Sequence, residues 1–190
     1  MRFVEGEFYH VYNRGNNRFP IFFEDENYEF FLKKIKREVL PLCDILAYCL
    51  MPNHYHFLIV VKEQVEDSNN EMDILSRKLG TLQSSYTRAI NKRFNRVGSL
   101  FQAKLKKKHA SDYADICFHY IHQNPVVARL CDKLEDWKFS SFKDYYFDMP
   151  NDLLNKDLAR DLLDIPQNSD LFYKESLGVI NSEYLDQLWS

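Results

Sequence analysis

Apolar positions along the chain recur with two periods, and the switches between them mark its elements. EFYHVYNRGNN reads as a strand from Phe8 to Tyr12 that runs into a polar turn with Gly15 and two asparagines. From Asp25 to Val39 the period lengthens. Tyr28, Phe31, Leu32, Ile35 and Val39 share one helical face, and Pro41 lies beyond its end. DILAYCLMP is short and β-rich, the next strand covers His54 to Val61, and Pro52 and Asn53 between them predict a tight antiparallel hairpin. After a polar loop around Asp67 to Asn70, the stretch from Met72 to Phe94 carries Leu75, Leu79, Leu82, Tyr86 and Ile90 at helical spacing. GSLFQAKLKKK then alternates like a strand. Ser111 is placed to cap a helix with Asp112 and Asp115 in its first turn, and Pro125 predicts that the helix stops near Asn124.

The order strand, helix, strand, strand, helix, strand, helix predicts an α+β domain, a ferredoxin-like split βαβ sandwich with an antiparallel sheet. That domain is expected over residues 1–147. An acidic tail over 148–190, with Leu153, Leu154, Leu158, Leu162 and Leu163 at helical spacing, is expected to pack on it as one or two helices. A chain of 190 residues with 45% apolar content fills one main core. No apolar run reaches the length of a membrane span, and the N-terminal stretch lacks the pattern of a signal peptide, so a cytoplasmic protein is expected. Cys43, Cys49, Cys117 and Cys131 show no CxxC spacing and read as reduced thiols.

Net charge is −3, an average that conceals two opposite regions. Arg77 to Lys108 contains no Asp or Glu and carries, among other cations, Arg93, Arg96, Lys104, Lys106, Lys107 and Lys108, whereas the tail is predominantly acidic. The lysines from Lys104 onward could simply protect an edge strand. The absence of nearby acids favours a surface that faces DNA.

Chemistry enters at MPNHYHFLIVV. Side chains on a strand alternate, so His54 and His56 point to one face and Tyr55 to the other, and two ring nitrogens converge as candidate metal ligands. In CFHYIHQNP, Tyr120 and Asn124 sit four apart on one helical face. A packed tyrosine and a helix-ending asparagine would account for that pair equally well. His119 and His122 flank Tyr120 but point elsewhere, towards solvent or DNA. His10, Asn13 and Arg14 are either phosphate or base contacts or structural hydrogen-bonding groups, with Asn13 favouring the structural role. Trp137, Phe139 and Phe142 read as core or cover.

The ordered blocks YHVYNRGNNR, AYCLMPNHYHFLIV, GSLFQAKLK, YIHQNPV and WKFSSFKDY together resemble the HUH single-tyrosine transposases, in particular the REP-associated tyrosine transposase branch, over about Phe8 to Tyr145. The resemblance implies a ferredoxin-like fold and a transposase that cleaves and transfers single-stranded or hairpin DNA through a covalent phosphotyrosine. It further implies that His54, His56 and Asn124 bind a divalent metal, with Tyr120 as nucleophile. Related insertion-sequence enzymes carry glutamine four residues after the tyrosine; here that position is Asn124, with glutamine at Gln123. A mixed nitrogen and oxygen donor set suits Mg²⁺ or Mn²⁺. DNA contacts are expected from Arg14, Arg93, Arg96, Lys104, Lys106, Lys107 and Lys108. A domesticated binder of folded single-stranded nucleic acid and a metal hydrolase that uses water are the competing readings, and both monomer and dimer stay open.

Overall fold

The computed structural model describes residues 2–62 and 73–178; the expected loop at Asp67 to Asn70, Met72 and residues 179–190 of the tail lie outside the described residues. In chain order the elements are β1 (Phe8–Arg14), α1 (Asp25–Glu38), β2 (Cys43–Met51), β3 (His54–Val61), α2 (Ile74–Arg93), β4 (Lys106–His109), α3 (Ala114–Val127), α4 (Phe142–Tyr146), α5 (Lys156–Leu163) and α6 (Ser169–Ser176). The strands form one sheet in the order β2-β3-β1-β4, every neighbouring pair antiparallel. This is the expected split βαβ topology: β1 and β2 run parallel on either side of β3, joined by the α1 crossover.

Period-two alternation divides the molecule into two cores. Tyr9, Val11, Tyr55, Phe57 and Ile59 pack under α1 and α2 with Phe31, Ile35, Leu79 and Leu82. On the opposite face Leu58 and Val60 join Leu46, Ala47, Cys117, Phe118 and Ile121 beneath α3. A register shift between Ile45 and Ala47 lets Leu46 and Ala47 both face α3, while Ile45 and Tyr48 stay in the first core.

Residues after α3 cover the β2 edge. Leu50 N donates to Phe139 O at 2.9 Å, Ser141 N to Tyr48 O at 3.0 Å and, beside the bulge, Asn155 N to Ile45 O at 3.0 Å. An edge satisfied in this way cannot pair with another chain. Phe139 stacks on Tyr28 at 3.9 Å, and Phe172 of α6 is 1% exposed beside Phe118 and Phe142. The described ion pairs of the tail's acids are with Lys36, Lys156 and Arg160, so none of them covers the basic stretch. The three cysteines Cys43, Cys49 and Cys117 are buried, and all four thiols are free.

Three local expectations need correction. Of the predicted GSLFQAKLKKK strand only its last three residues, Lys106 to Lys108, form a ladder, which runs on to His109. Before it, Gly98 adopts φ +86°, Phe101 makes a single bridge to Gly15, and Leu100 and Phe101 are both buried, so there is no alternation. Ser111 does not cap α3; its hydroxyl donates to Glu7 Oε2 at 2.6 Å and accepts from Phe8 N at 3.3 Å, and the helix begins after a 3₁₀ turn. Finally, α3 continues through Pro125 to Val127, because burial of Asn124 and Pro125 against the sheet outweighs the local preference of a residue before proline.

Candidate active site

His54 and His56 lie on the α3 face of β3, their ring centroids 5.1 Å apart and nearly perpendicular. Across from them α3 places Tyr120, 6% exposed, with its ring edge-on to His56 at 5.6 Å and to His10 at 6.0 Å. One turn later Asn124 donates from its side-chain amide to the Tyr120 carbonyl at 2.7 Å. Its side-chain amide also faces the His54 ring, where it favours the ring's charged form. With the amide nitrogen committed to a carbonyl, the oxygen is the remaining acceptor of that group. Thus Tyr120, His54, His56 and Asn124, which belong to two distant stretches of sequence, meet at one place. Gln123 turns the other way and donates to the carbonyls of Ser176 and Gly178, both at 2.8 Å.

The register across the sheet gives this face a gradient. Met51 and Cys49 of β2 stand beside His54 and His56 of β3, then come Arg14 and Tyr12 of β1, and Lys106 and Lys108 of β4. Apolar side chains therefore lie on one side of the imidazoles and cations on the other. A cleft of about 130 Å³ opens on the cationic side, lined by Tyr12, Asn13, Arg14, His54, Gln102 and Lys106. Asn13 itself is tied up structurally, donating to Gln83 Oε1 and the Gln102 carbonyl and accepting from Arg14 N.

Burial sets the charge state of the histidines. Desolvation, with Arg14 adding to it and Asn124 opposing, pushes His54 down to about 4. Desolvation and Lys108 push His10 down to about 3, and desolvation with His10 and His54 holds His56 well below its usual value. All three rings are neutral at pH 7, the form in which an imidazole offers a lone pair to a metal. Among the described residues no cluster of three or more His, Cys, Asp or Glu could hold a metal; beside the pair, the Asn124 amide could serve as a further donor. Two neutral imidazoles and an amide oxygen on rigid elements fit a divalent ion.

The expected DNA-contacting cations separate. Arg14 and Lys106 line the cleft, and Lys104 is exposed nearby in sequence. Lys107 is set apart from the others. Alternation turns it to the opposite face, where it donates to Ser76 Oγ at 2.6 Å, pairs with Asp73 at 3.4 Å and lies over the Phe3 ring at 4.0 Å. Arg93, the last residue of α2, bonds Glu24 at 3.1 Å, and Arg96 just beyond the helix lies 5.3 Å from the Phe23 ring. Of the two histidines expected towards solvent or DNA, His119 is partly exposed and meets Ser176 Oγ at 3.1 Å, whereas His122, against expectation, is fully buried against Ser141 Oγ at 2.7 Å. They anchor the tail and the FSSF segment to α3.

One side chain read only as a possible contact is part of the site. His10 is fully buried, and its Nε2 lies 2.8 Å from His56 Nδ1. Parity was the available signal: His10, Tyr12 and Arg14 alternate onto one face of β1 just as His54 and His56 do on β3.

A split βαβ sheet with an HxH pair on its central strand and a tyrosine on a helix packed over it defines the architecture of single-tyrosine transposases. The profile of the family described as "Transposase IS200 like" matches residues 4–124, and the chain belongs to that family. The chain is 27% identical over 110 residues to a protein of Haemophilus influenzae described as a putative REP-associated tyrosine transposase, the match covering 52% of this chain and 58% of that one. The chain thus spans little more than half the length of this curated relative. The fold also matches the solved structure of a REP-associated tyrosine transposase bound to a REP hairpin, with a TM-score of 0.57 and 19% identity over 76% of this chain and 82% of that one. Among the described residues no helix is long and apolar enough to cross a membrane.

Proposed function

We propose that the protein is a REP-associated single-tyrosine transposase that nicks and rejoins single-stranded or hairpin DNA, with Tyr120 as nucleophile and His54, His56 and Asn124 as ligands of Mg²⁺ or Mn²⁺. The observation that carries this reading is the packing of Tyr120 against His56, with Asn124 one turn away at His54. The hairpin bound to the structural neighbour supports the substrate class. We assign residues 1–147 to the catalytic unit and the tail to its support.

When bound, a divalent ion would neutralise charge on the scissile phosphate. The protein's own groups supply the rest. Arg14 and Lys106 in the cleft draw the DNA backbone to the side of the site where His54 is reached. Helix α3 fixes the direction from which the Tyr120 oxygen meets phosphorus, and that alignment replaces the entropy cost of a free encounter. In the reaction the phenolic oxygen bonds to phosphorus, its proton leaves to solvent, and the bond from phosphorus to the 3′ oxygen breaks. That oxygen takes up a proton and departs as a 3′-hydroxyl. Bond energy is retained in the phosphotyrosine, so a 3′-hydroxyl can reverse the step without ATP.

Incubation with end-labelled hairpin DNA and Mn²⁺, followed by denaturing electrophoresis, tests the proposal. A covalent adduct on the peptide that contains Tyr120 is expected. Free cut product without adduct would indicate a water-using hydrolase, and binding without reaction a domesticated binder.

A further inference from the structure

The turn after β1 and the turn between β2 and β3 are fastened together, and the fastening ends on a ring nitrogen of His54. Gly15 N donates to Asn53 O at 2.8 Å, and Ile21 N and Phe22 N donate to Pro52 O at 2.8 and 3.1 Å. The Asn53 side chain completes the junction: Nδ2 donates to the Arg18 carbonyl at 3.1 Å, and Oδ1 lies 2.6 Å from His54 Nδ1. A backbone carbonyl only accepts, so Arg18 determines which end of the amide is nitrogen. Oδ1 also only accepts, and a neutral His54 must therefore carry its proton on Nδ1, with the lone pair on Nε2. The carbonyl that starts this chain is itself held rigidly. Asn17 and Arg18 adopt φ of 53° and 61°, and a Cβ at Gly15 would collide with the Phe19 carbonyl oxygen.

We propose that Asn53 is a positioning residue that holds His54 in the Nδ1–H tautomer, so that Nε2 is presented to a divalent cation, and that its own orientation is set by the Arg18 carbonyl. The inference rests on the reading of His54 as a metal ligand. It differs from that reading in assigning the ligand's tautomer to a residue outside the HxH pair.

The test compares wild type, Asn53→Ala and Asn53→Asp by long-range nitrogen–proton NMR of the metal-free imidazoles and by Mn²⁺ titration. Aspartate keeps an acceptor for His54 Nδ1–H but loses the donor to Arg18, whereas alanine loses both. Wild type and Asn53→Asp should show His54 as Nδ1–H, while Asn53→Ala should show the Nε2–H form. Mn²⁺ affinity should fall about 10- to 100-fold in Asn53→Ala, the usual cost of losing a group that orients a ligand, and stay near wild type in Asn53→Asp. A wild-type His54 protonated on Nε2 overturns the proposal, as does an alanine variant with unchanged tautomer and affinity. Should the alanine variant fail to fold, the wild-type and aspartate spectra decide. Failure of wild type to bind Mn²⁺ would remove the metal reading, and the metal-free spectra would still judge the role of Asn53.

Discussion

The two faces of the sheet are built from the same strands yet answer to different demands. Beneath α1 and α2, the odd positions of β1 and β3 bury Tyr9, Val11, Phe57 and Ile59 in an apolar and aromatic core. Beneath α3, the even positions change character along the strand: Leu58 and Val60 are core, whereas His56 and His54 are imidazoles, followed across the sheet by Tyr12, Arg14 and Lys106. Burial of neutral imidazoles is costly unless their nitrogens find partners, and His10 supplies one for His56 at 2.8 Å. One face is thus optimised for stability. The other gives up some stability to hold polar groups in a fixed array.

If that division is right, the largest effects on chemistry come from the α3 face and leave the fold intact. Tyr120→Phe removes one oxygen. Denaturing gels should show both cleavage and covalent adduct abolished, while gel-shift affinity and melting temperature stay close to wild type. A variant that still cuts, or an adduct that maps to Tyr113 or Tyr55, breaks the assignment. His54→Ala and His56→Ala should each abolish cleavage with DNA binding largely retained. Asn124→Ala should reduce cleavage less completely, since an amide is the weaker donor.

The converse holds on the other face. Phe57 is 3% exposed in the first core, and Phe57→Ala should cost about 3–5 kcal/mol in stability. Urea titration would measure that loss. Single-turnover cleavage at a temperature where the variant is folded should be nearly unchanged. A selective loss of cleavage there would mean that the faces are coupled and not divided.

Much of this arrangement was legible because alternation is a local property. HYHFLIVV places its histidines on one face whatever surrounds it, and the topology followed from the order of periods along the chain. What escaped the sequence depends on partners far away in the chain. The burial of His122 rests on Ser141, the role of Gln123 on the carbonyls of Ser176 and Gly178, and the partners of Lys107, though not its face, on Asp73 and Ser76. The continuation of α3 past Asn124 is of the same kind, since proline's local preference yields only to tertiary burial. His10 lay between the two cases: its face could be read from parity, but its bond to His56 required the strand pairing.

Acid separates the faces by a smaller, graded effect. His54 and His10 titrate near 6.5 when unfolded and near 4 and 3 when folded, so the unfolded chain binds more protons as pH falls below 6.5. Stability from these groups is therefore fully present above pH 6.5 and lost progressively as pH falls towards 4 and then 3. Each contributes a slope of at most about 1.4 kcal/mol per pH unit. Urea midpoints measured in the absence of metal from pH 7 to pH 4 should decline, and saturating Mn²⁺ should raise them throughout without flattening the decline, because the ion keeps protons off the folded rings. A flat metal-free profile would count against buried neutral histidines.

The finest division is within β4, where adjacent lysines point to opposite faces. Lys106 and Lys108 pair in register with Tyr12 and His10 and so share the face of the imidazoles, whereas Lys107 pairs with Val11 and points to Asp73 and Ser76. Binding to a single strand should weaken with salt in proportion to the phosphates neutralised, about −0.7 in log–log slope for each. Replacing Lys106 and Lys108 with alanine together should therefore flatten the slope by about 1.4, with little effect on melting. Lys107→Ala should do the reverse. It loses a partly buried ion pair, a hydrogen bond and a cation–π contact, together worth about 1–2 kcal/mol, yet it should leave the salt slope unchanged. Were Lys107→Ala to flatten the slope as much as the other two, DNA would have to reach both faces of β4, and the division between a stabilising face and a reactive one would not extend to the sheet's edge.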